Sequence, residues 1–296
     1  MIRLAVCGVN HSACNDVARR IRGATVLSCT IDALNSPAMN DFDAVVFVGE
    51  ASPSAETLRK CVAEGKHLLL ATETILSTPG LDAIVDCGQE ADVRVVVRNP
   101  DQALPSRRLI HDELRGSKLG SPGLIRLHRW ESKNASRSLD SAKLPAPLIR
   151  DLDLILWLMN AFPNHLYAVE RGADNEETTI QVHLGFPDGS MSLLDYADTL
   201  PAGDGHQSLS TICAHGAMYA DDHANRQLRY QGGTASAVPT DEGLFPLTTL
   251  IQQFVDELSM ADVCQVGIAR WRQVRRLADA VRQSIQTCAS ISGGSL

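Results

Sequence analysis

Six residues, Gly8-Val9-Asn10-His11-Ser12-Ala13, stand between the apolar run IRLAVC and a helical stretch. A strand that ends in a glycine turn and passes straight into a helix aims unpaired N-terminal amides at one point. This is the physical basis of pyrophosphate binding by G-x-G-x-x-G/A loops. The first glycine, Gly8, and the permitted alanine, Ala13, are in place, but the middle glycine is Asn10. Its side chain must block an approaching phosphate or lean away. His11 reads as a helix-start group at the same turn. Asp32, at the end of the second expected strand, is placed to accept hydrogen bonds from an adenosine ribose and to repel a 2′-phosphate. It therefore predicts NAD in preference to NADP. On these residues alone, a dinucleotide turn and an ordinary turn with a surface aspartate both remain open.

Other chemistries find less support. The eight cysteines include no C-x-x-C pair and no histidine at zinc-ligand spacing, so no metal site is expected and buried thiols in a reducing cytoplasm are. No serine lies in a G-x-S-x-G elbow, which argues against a Ser-His-Asp hydrolase. The net charge is −8 and the basic residues are scattered, so neither nucleic acid nor an acidic membrane is an expected partner. The first apolar run is too short for a membrane span or a signal h-region. His11, His111, His128, Asp151 and Asp153 could act as acids or bases by type. Helix-start, surface or buried-partner roles account for each of them.

The elements that would position these residues have two periods. Up to about residue 120, short apolar runs (IRLAVCGV, ATVLSCTID, DAVVFVGE, KHLLLA, VRVVVRN) alternate with helical segments, the pattern of a Rossmann-type doubly wound parallel sheet. From 165 to 232 strands alternate by twos: Ile180, Val182, Leu184 and Phe186 share one face, Thr179, Gln181 and His183 the other. A large, open, mostly antiparallel sheet follows, its apolar face covered by helices. PLIRDLDLILWLMNAF is apolar nearly all round, as a helix buried between two domains would be. Two more covering helices are marked by Leu247, Leu250, Ile251, Phe254, Val255 and Leu258, and by Trp271, Val274, Ala278, Val281 and Ile285. The tail SISGGSL is expected to fray. This reading gives a dinucleotide-binding domain over 1–118 and an α+β substrate and oligomerisation domain over 119–296.

The ungapped stretch DAVVFVGEASPSAETLRKCVAEGKHLLLATETILS, with LIHDELRGSKLGSPGLIRLHRW, LIRDLDLILWL and TIQVHLGFPDGSMSLL, resembles the glucose-fructose oxidoreductase, inositol dehydrogenase and MocA family over essentially the whole chain. The resemblance implies an NAD(P)-binding oxidoreductase acting on sugars or polyols. It places Gly49 and Glu73 beside the cofactor, with Gly8, Asn10, His11 and Asp32. The family's E-K-P lysine falls on Thr72, and its catalytic Asp and His fall on Ala146 and Arg150. None of the three is retained, and an arginine cannot take the proton that alcohol oxidation releases. Glu50, where the family has T-P, adds a negative charge near a pyrophosphate.

Thr72, Arg150 and Asp151 are therefore the residues left where catalysis would occur, with Arg150 and Asp151 in the first turn of a helix starting near Pro147. Three readings stay open. One is a family oxidoreductase that has lost the standard Lys/Asp/His chemistry; another is an active NAD-dependent enzyme with an unusual acid/base set. The third is a non-catalytic regulatory or structural oligomer component. The expected partners are a small-molecule ligand, in particular an anionic sugar derivative held by Arg150, and a second copy in a homodimer.

Overall fold

The structure, a computed structural model, describes residues 1–49, 51–72, 80–116, 118–132, 144–171, 178–201, 205–221, 226–231, 234–239, 245–260 and 266–295. Two compact units divide the chain, Met1–Leu104 with Glu242–Arg272 and Pro105–Asp241 with Gln273–Leu296.

In the first unit, β1 (Ile2–Cys7), β2 (Ala24–Ser28), β3 (Ala44–Gly49), β4 (His67–Thr72) and β5 (Val95–Val97) form a parallel sheet in the order β2-β1-β3-β4-β5. Ala44 to Val48 and Leu68 to Ala71 are buried without alternation, as strands covered on both faces must be. Helices α1 (His11–Ala18), α2 (Ala55–Ala63) and α3 (Leu81–Glu90) are the crossovers. Ser54 caps α2 by accepting from the Thr57 amide at 3.0 Å. The chain leaves β1 for β2 on one side and returns to β3 on the other. The β1/β3 edge is thus the topological switch point, where ligands bind outside the carboxyl ends of the strands.

In the second unit, α4 (Pro105–Arg115) precedes β6 (Pro122–Ser132), α5 (Ala146–Met159), β7 (His165–Arg171), β8 (Thr179–Gly185), β9 (Met191–Leu200), β10 (His206–Cys213), β11 (Gly216–Asp221), β12 (Arg226–Gln231) and β13 (Thr234–Pro239). With β14 (Ile291–Ser292) they make a nine-stranded sheet among the described residues, ordered β13-β12-β11-β10-β6-β9-β8-β7-β14. β6 and β9 run parallel, and the other described neighbours are antiparallel. Ile180, Val182 and Leu184 are buried while Gln181 and His183 are exposed, so the alternation marks a one-sided sheet. Helix α5 packs on β6 and β9. Its start is limited by Pro145 and Pro147, and it ends at Asn160 in the left-handed conformation.

Of the last two helices, α6 (Phe245–Leu258) and α7 (Val266–Thr287), the first departs from the sequence reading. Leu250, Ile251, Phe254 and Val255 of α6 share a core with Leu4, Val6, Val26, Val46 and Leu69, so α6 completes the parallel sheet's unit. Arg94 donates to the Glu257 and Met260 carbonyls at its end, and Arg98 pairs with Glu257. An apolar stripe requires that a helix be buried but does not specify the surface that buries it. The unit boundary falls within α7, at Arg272/Gln273. The tail does not simply fray, because Ile291 and Ser292 pair with Leu166 and His165 as the edge strand β14.

Candidate functional site

At the switch point the backbone makes a tight turn that requires glycine. Gly8 has φ +99°, and a Cβ placed there would stand 1.8 Å from the Val48 carbonyl oxygen. Gly49 has φ +57°, and its Cβ would stand 2.8 Å from the Gly8 carbonyl oxygen. The ends of β1 and β3 thus approach so closely that neither position admits a side chain. Thr72, the last residue of β4, is the register partner of Gly49. Gly8, Gly49 and Thr72 are brought together along the carboxyl edge of the sheet.

The substituted glycine is also accounted for. Asn10 is the N-cap of α1, with φ −70° and ψ 159°, and its Oδ1 accepts from the Ala13 amide at 2.8 Å. The side chain leans onto the helix end and occupies one of the donors that an incoming phosphate would use. His11 is the first residue of α1 and is exposed, and no acidic residue stands in that first turn to oppose an anion. Asp32 is not at the strand end, because β2 ends at Ser28 and Asp32 opens a separate 3-10 turn, Asp32–Asn35. Glu73 and Glu50 lie outside the described residues.

The thiols beneath this turn are not nucleophiles. Cys7 is buried directly before Gly8; its burial and the adjacent Cys29 raise its pKa far above the thiol range. Burial pushes Cys61 up to about 11. Both remain protonated at neutral pH.

The second unit carries the other sequence-derived residues. Helix α5 begins at Ala146, so Arg150 and Asp151 stand in its second turn rather than its first, and both are buried. Asp151 accepts from Arg129 of β6 through both carboxylate oxygens, from Nε at 2.8 Å and from Nη2 at 2.7 Å. Glu131 adds a weaker contact to Arg129 at 3.8 Å. Tyr196, the register partner of Arg129 on β9, is buried; burial and then Glu131 hold its phenol well above the usual tyrosine range. The cluster therefore holds a gripped carboxylate and a phenol that stays protonated, neither suited to remove a proton near pH 7. Asp153 is buried on the same helix.

Arg129 was missed in the sequence, although a signal was present. In LIRLHRW it shares the inward phase with Ile125 and Leu127, and a buried arginine requires a partner. The two other candidate histidines of this unit make contacts apart from this cluster. His111 stacks on Trp157 with ring centroids 4.0 Å apart, and His128 Nδ1 lies 3.3 Å from Asp195 Oδ2 on the open sheet face.

No protein-family profile matches the sequence, and no curated protein does either. Solved structures match over nearly the full length of both chains. The UDP-N-acetylglucosamine 3-dehydrogenase GnnA from Acidithiobacillus ferrooxidans is 19% identical over 97% of this chain and 98% of its own, with a TM-score of 0.74. An oxidoreductase from Agrobacterium radiobacter, solved in complex with NAD+, L-tartaric acid and magnesium, is 13% identical over 98% of each chain, TM-score 0.74. The aldose-aldose oxidoreductase from Caulobacter crescentus, complexed with glycerol, is 12% identical over 99% of each chain, TM-score 0.75. The fold is that of the glucose-fructose oxidoreductase, inositol dehydrogenase and MocA family. Among the described residues, no helix is long and apolar enough to cross a membrane.

Proposed function

We propose that this chain binds a nicotinamide dinucleotide at the carboxyl edge of its parallel sheet and has lost the standard dehydrogenase proton chemistry of its fold. Gly8, Asn10, His11 and Gly49 frame the dinucleotide turn, with Asp32 in the 3-10 turn beyond β2; Glu73, the other residue assigned by the resemblance, lies outside the described residues. The cofactor would supply hydride transfer; these residues bind and orient it. The observation that carries the reading is on α5. Ala146 and Arg150 stand where resemblance calls for an aspartate and a histidine, and Arg129 takes both oxygens of the adjacent Asp151. An alcohol oxidised there would have no proton acceptor among these residues. Arg150 suits an anionic ligand, such as a sugar acid or sugar phosphate, held without being oxidised.

Native mass spectrometry of the purified protein, combined with turnover assays on neutral polyols and sugar acids, tests the reading. Retained or titratable dinucleotide with no turnover is the expected result. Brisk NAD-dependent oxidation of a polyol would overturn it in favour of an active enzyme with an unusual base. Failure to bind either dinucleotide would leave the fold serving a structural or regulatory role.

A further inference from the structure

Carboxylate or not, the residue at the end of β2 decides which dinucleotide a doubly wound sheet accepts, because the adenosine ribose lies across the carboxyl ends of the first two strands. The β1–β2 register runs without a slip from Ile2↔Ala24 to Val6↔Ser28. Cys29 continues it by donating its amide to the Val6 carbonyl at 2.9 Å. Carried on, the same register sets Thr30 level with Gly8, the glycine of the phosphate turn. Asp32 comes later, after the chain has left the strand direction for the 3-10 turn Asp32–Asn35.

Resting on the dinucleotide-binding reading above, we infer that Thr30, rather than Asp32, meets the adenosine ribose, and that the site accepts NADP(H) as well as NAD(H). Thr30 is exposed, so its hydroxyl is accessible. Its Oγ1 accepts from the Ala33 amide at 3.3 Å, which leaves the hydroxyl hydrogen to be donated. A 2′-hydroxyl and a 2′-phosphate can both accept from such a donor, whereas a carboxylate would bind the first and repel the second. The Cys29 thiol contacts the Thr30 carbonyl at 3.3 Å, which fixes the peptide at the strand end. No lysine or arginine occurs between Ala24 and Asn35 to select the phosphate positively. Tolerance of both cofactors, not a reversed preference, is therefore the consequence. Asp32 is exposed, and its charge acts across solvent and salt.

The experiment is a fluorescence titration of the full-length protein with NADH and with NADPH at one ionic strength, repeated for Thr30→Asp and Asp32→Asn. The two wild-type dissociation constants should agree within about tenfold. Thr30→Asp should weaken NADPH at least about tenfold while changing NADH little, and Asp32→Asn should move the ratio by less than about threefold. A wild-type preference for NADH above about a hundredfold that collapses in Asp32→Asn would overturn the inference and leave dinucleotide binding intact. If neither nucleotide binds the wild type or an Asn10→Gly variant, the underlying reading fails, and this inference fails with it.

Discussion

Arg129 and Asp151 form a bidentate pair between β6 and α5, with both bonds under 3 Å and both residues buried. Removing Arg129 takes two short charge-assisted bonds from a carboxylate that is buried away from water. Arg129→Met should therefore cost about 3–5 kcal/mol in chemical denaturation. The double variant Arg129→Met/Asp151→Leu should recover most of that loss, since the desolvation of both ions also disappears. A single variant as stable as the wild type would show that the pair is dispensable.

Asn10 supports two opposing effects. Asn10→Gly should lower stability by only a few tenths of a kcal/mol, because glycine is a tolerable N-cap. It should tighten dinucleotide binding by releasing the Ala13 amide and clearing the turn. Asn10→Ala should cost about 1 kcal/mol, a larger stability loss than the glycine variant. Calorimetric titration of the three proteins checks this, and unchanged affinity in Asn10→Gly would mean that the turn is not a phosphate site.

If Arg150 holds an anionic ligand, a thermal-shift screen should find sugar acids or sugar phosphates that raise the melting temperature while their neutral polyol counterparts do not. The effect should vanish in Arg150→Ala. Stabilisation by neutral polyols alone would contradict the assignment.

Stability should fall on the acid side through His67. Its Nδ1 accepts from the Arg94 amide at 3.0 Å, so protonation there breaks the bond. Burial first, and then the Arg94 guanidinium, hold its pKa below the ordinary 6.5. The unfolded chain takes up this proton near 6.5 and the folded chain only at lower pH. The contribution is therefore complete above 6.5 and is lost as pH falls toward the folded value. Urea midpoints measured between about pH 7.5 and 5 should decline less in His67→Gln than in the wild type.

The open face of the nine-stranded sheet carries a mixed row, Tyr167, His183, Leu193, Arg126, Ser210 and Tyr219, each residue in register with the next. Trp130, Met191 and Ile212 are exposed beside it. Polar groups interleaved with aromatics suit a wet, moderate interface rather than a greasy one. Light scattering over a dilution series should show a dimer that dissociates. A tetramer that survives dilution would refute this.

Periodicity made much of this legible. The two-residue alternation of Ile180, Val182 and Leu184 determined which face is covered, and the unbroken apolar runs of β3 and β4 identified a sheet buried on both sides. What stayed hidden depended on contacts distant in sequence. The partner of α6 could not be read from its apolar stripe, nor the grip of Arg129 on Asp151 from residues 22 positions apart. The strand end at Ser28 was equally hidden, because TIDALN can be read as a continuing strand until the 3-10 turn is seen.

The place of α6 gives the chain an order of assembly. Phe254 and Val255 fill the core that Leu4 and Val6 begin, so the sheet written first is closed by residues roughly two hundred and fifty positions later. A nascent chain must make β6 to β13 before α6 can cover that surface. Until then, Leu4, Val6, Val26 and Val46 pack only against earlier partners such as Cys14, Val17 and Leu69, without the cover of Phe254 and Val255. Closure of the parallel-sheet unit only after α6 has been made follows from this connectivity, and a fragment ending at Leu104 would lack the part of that core that Phe254 and Val255 fill.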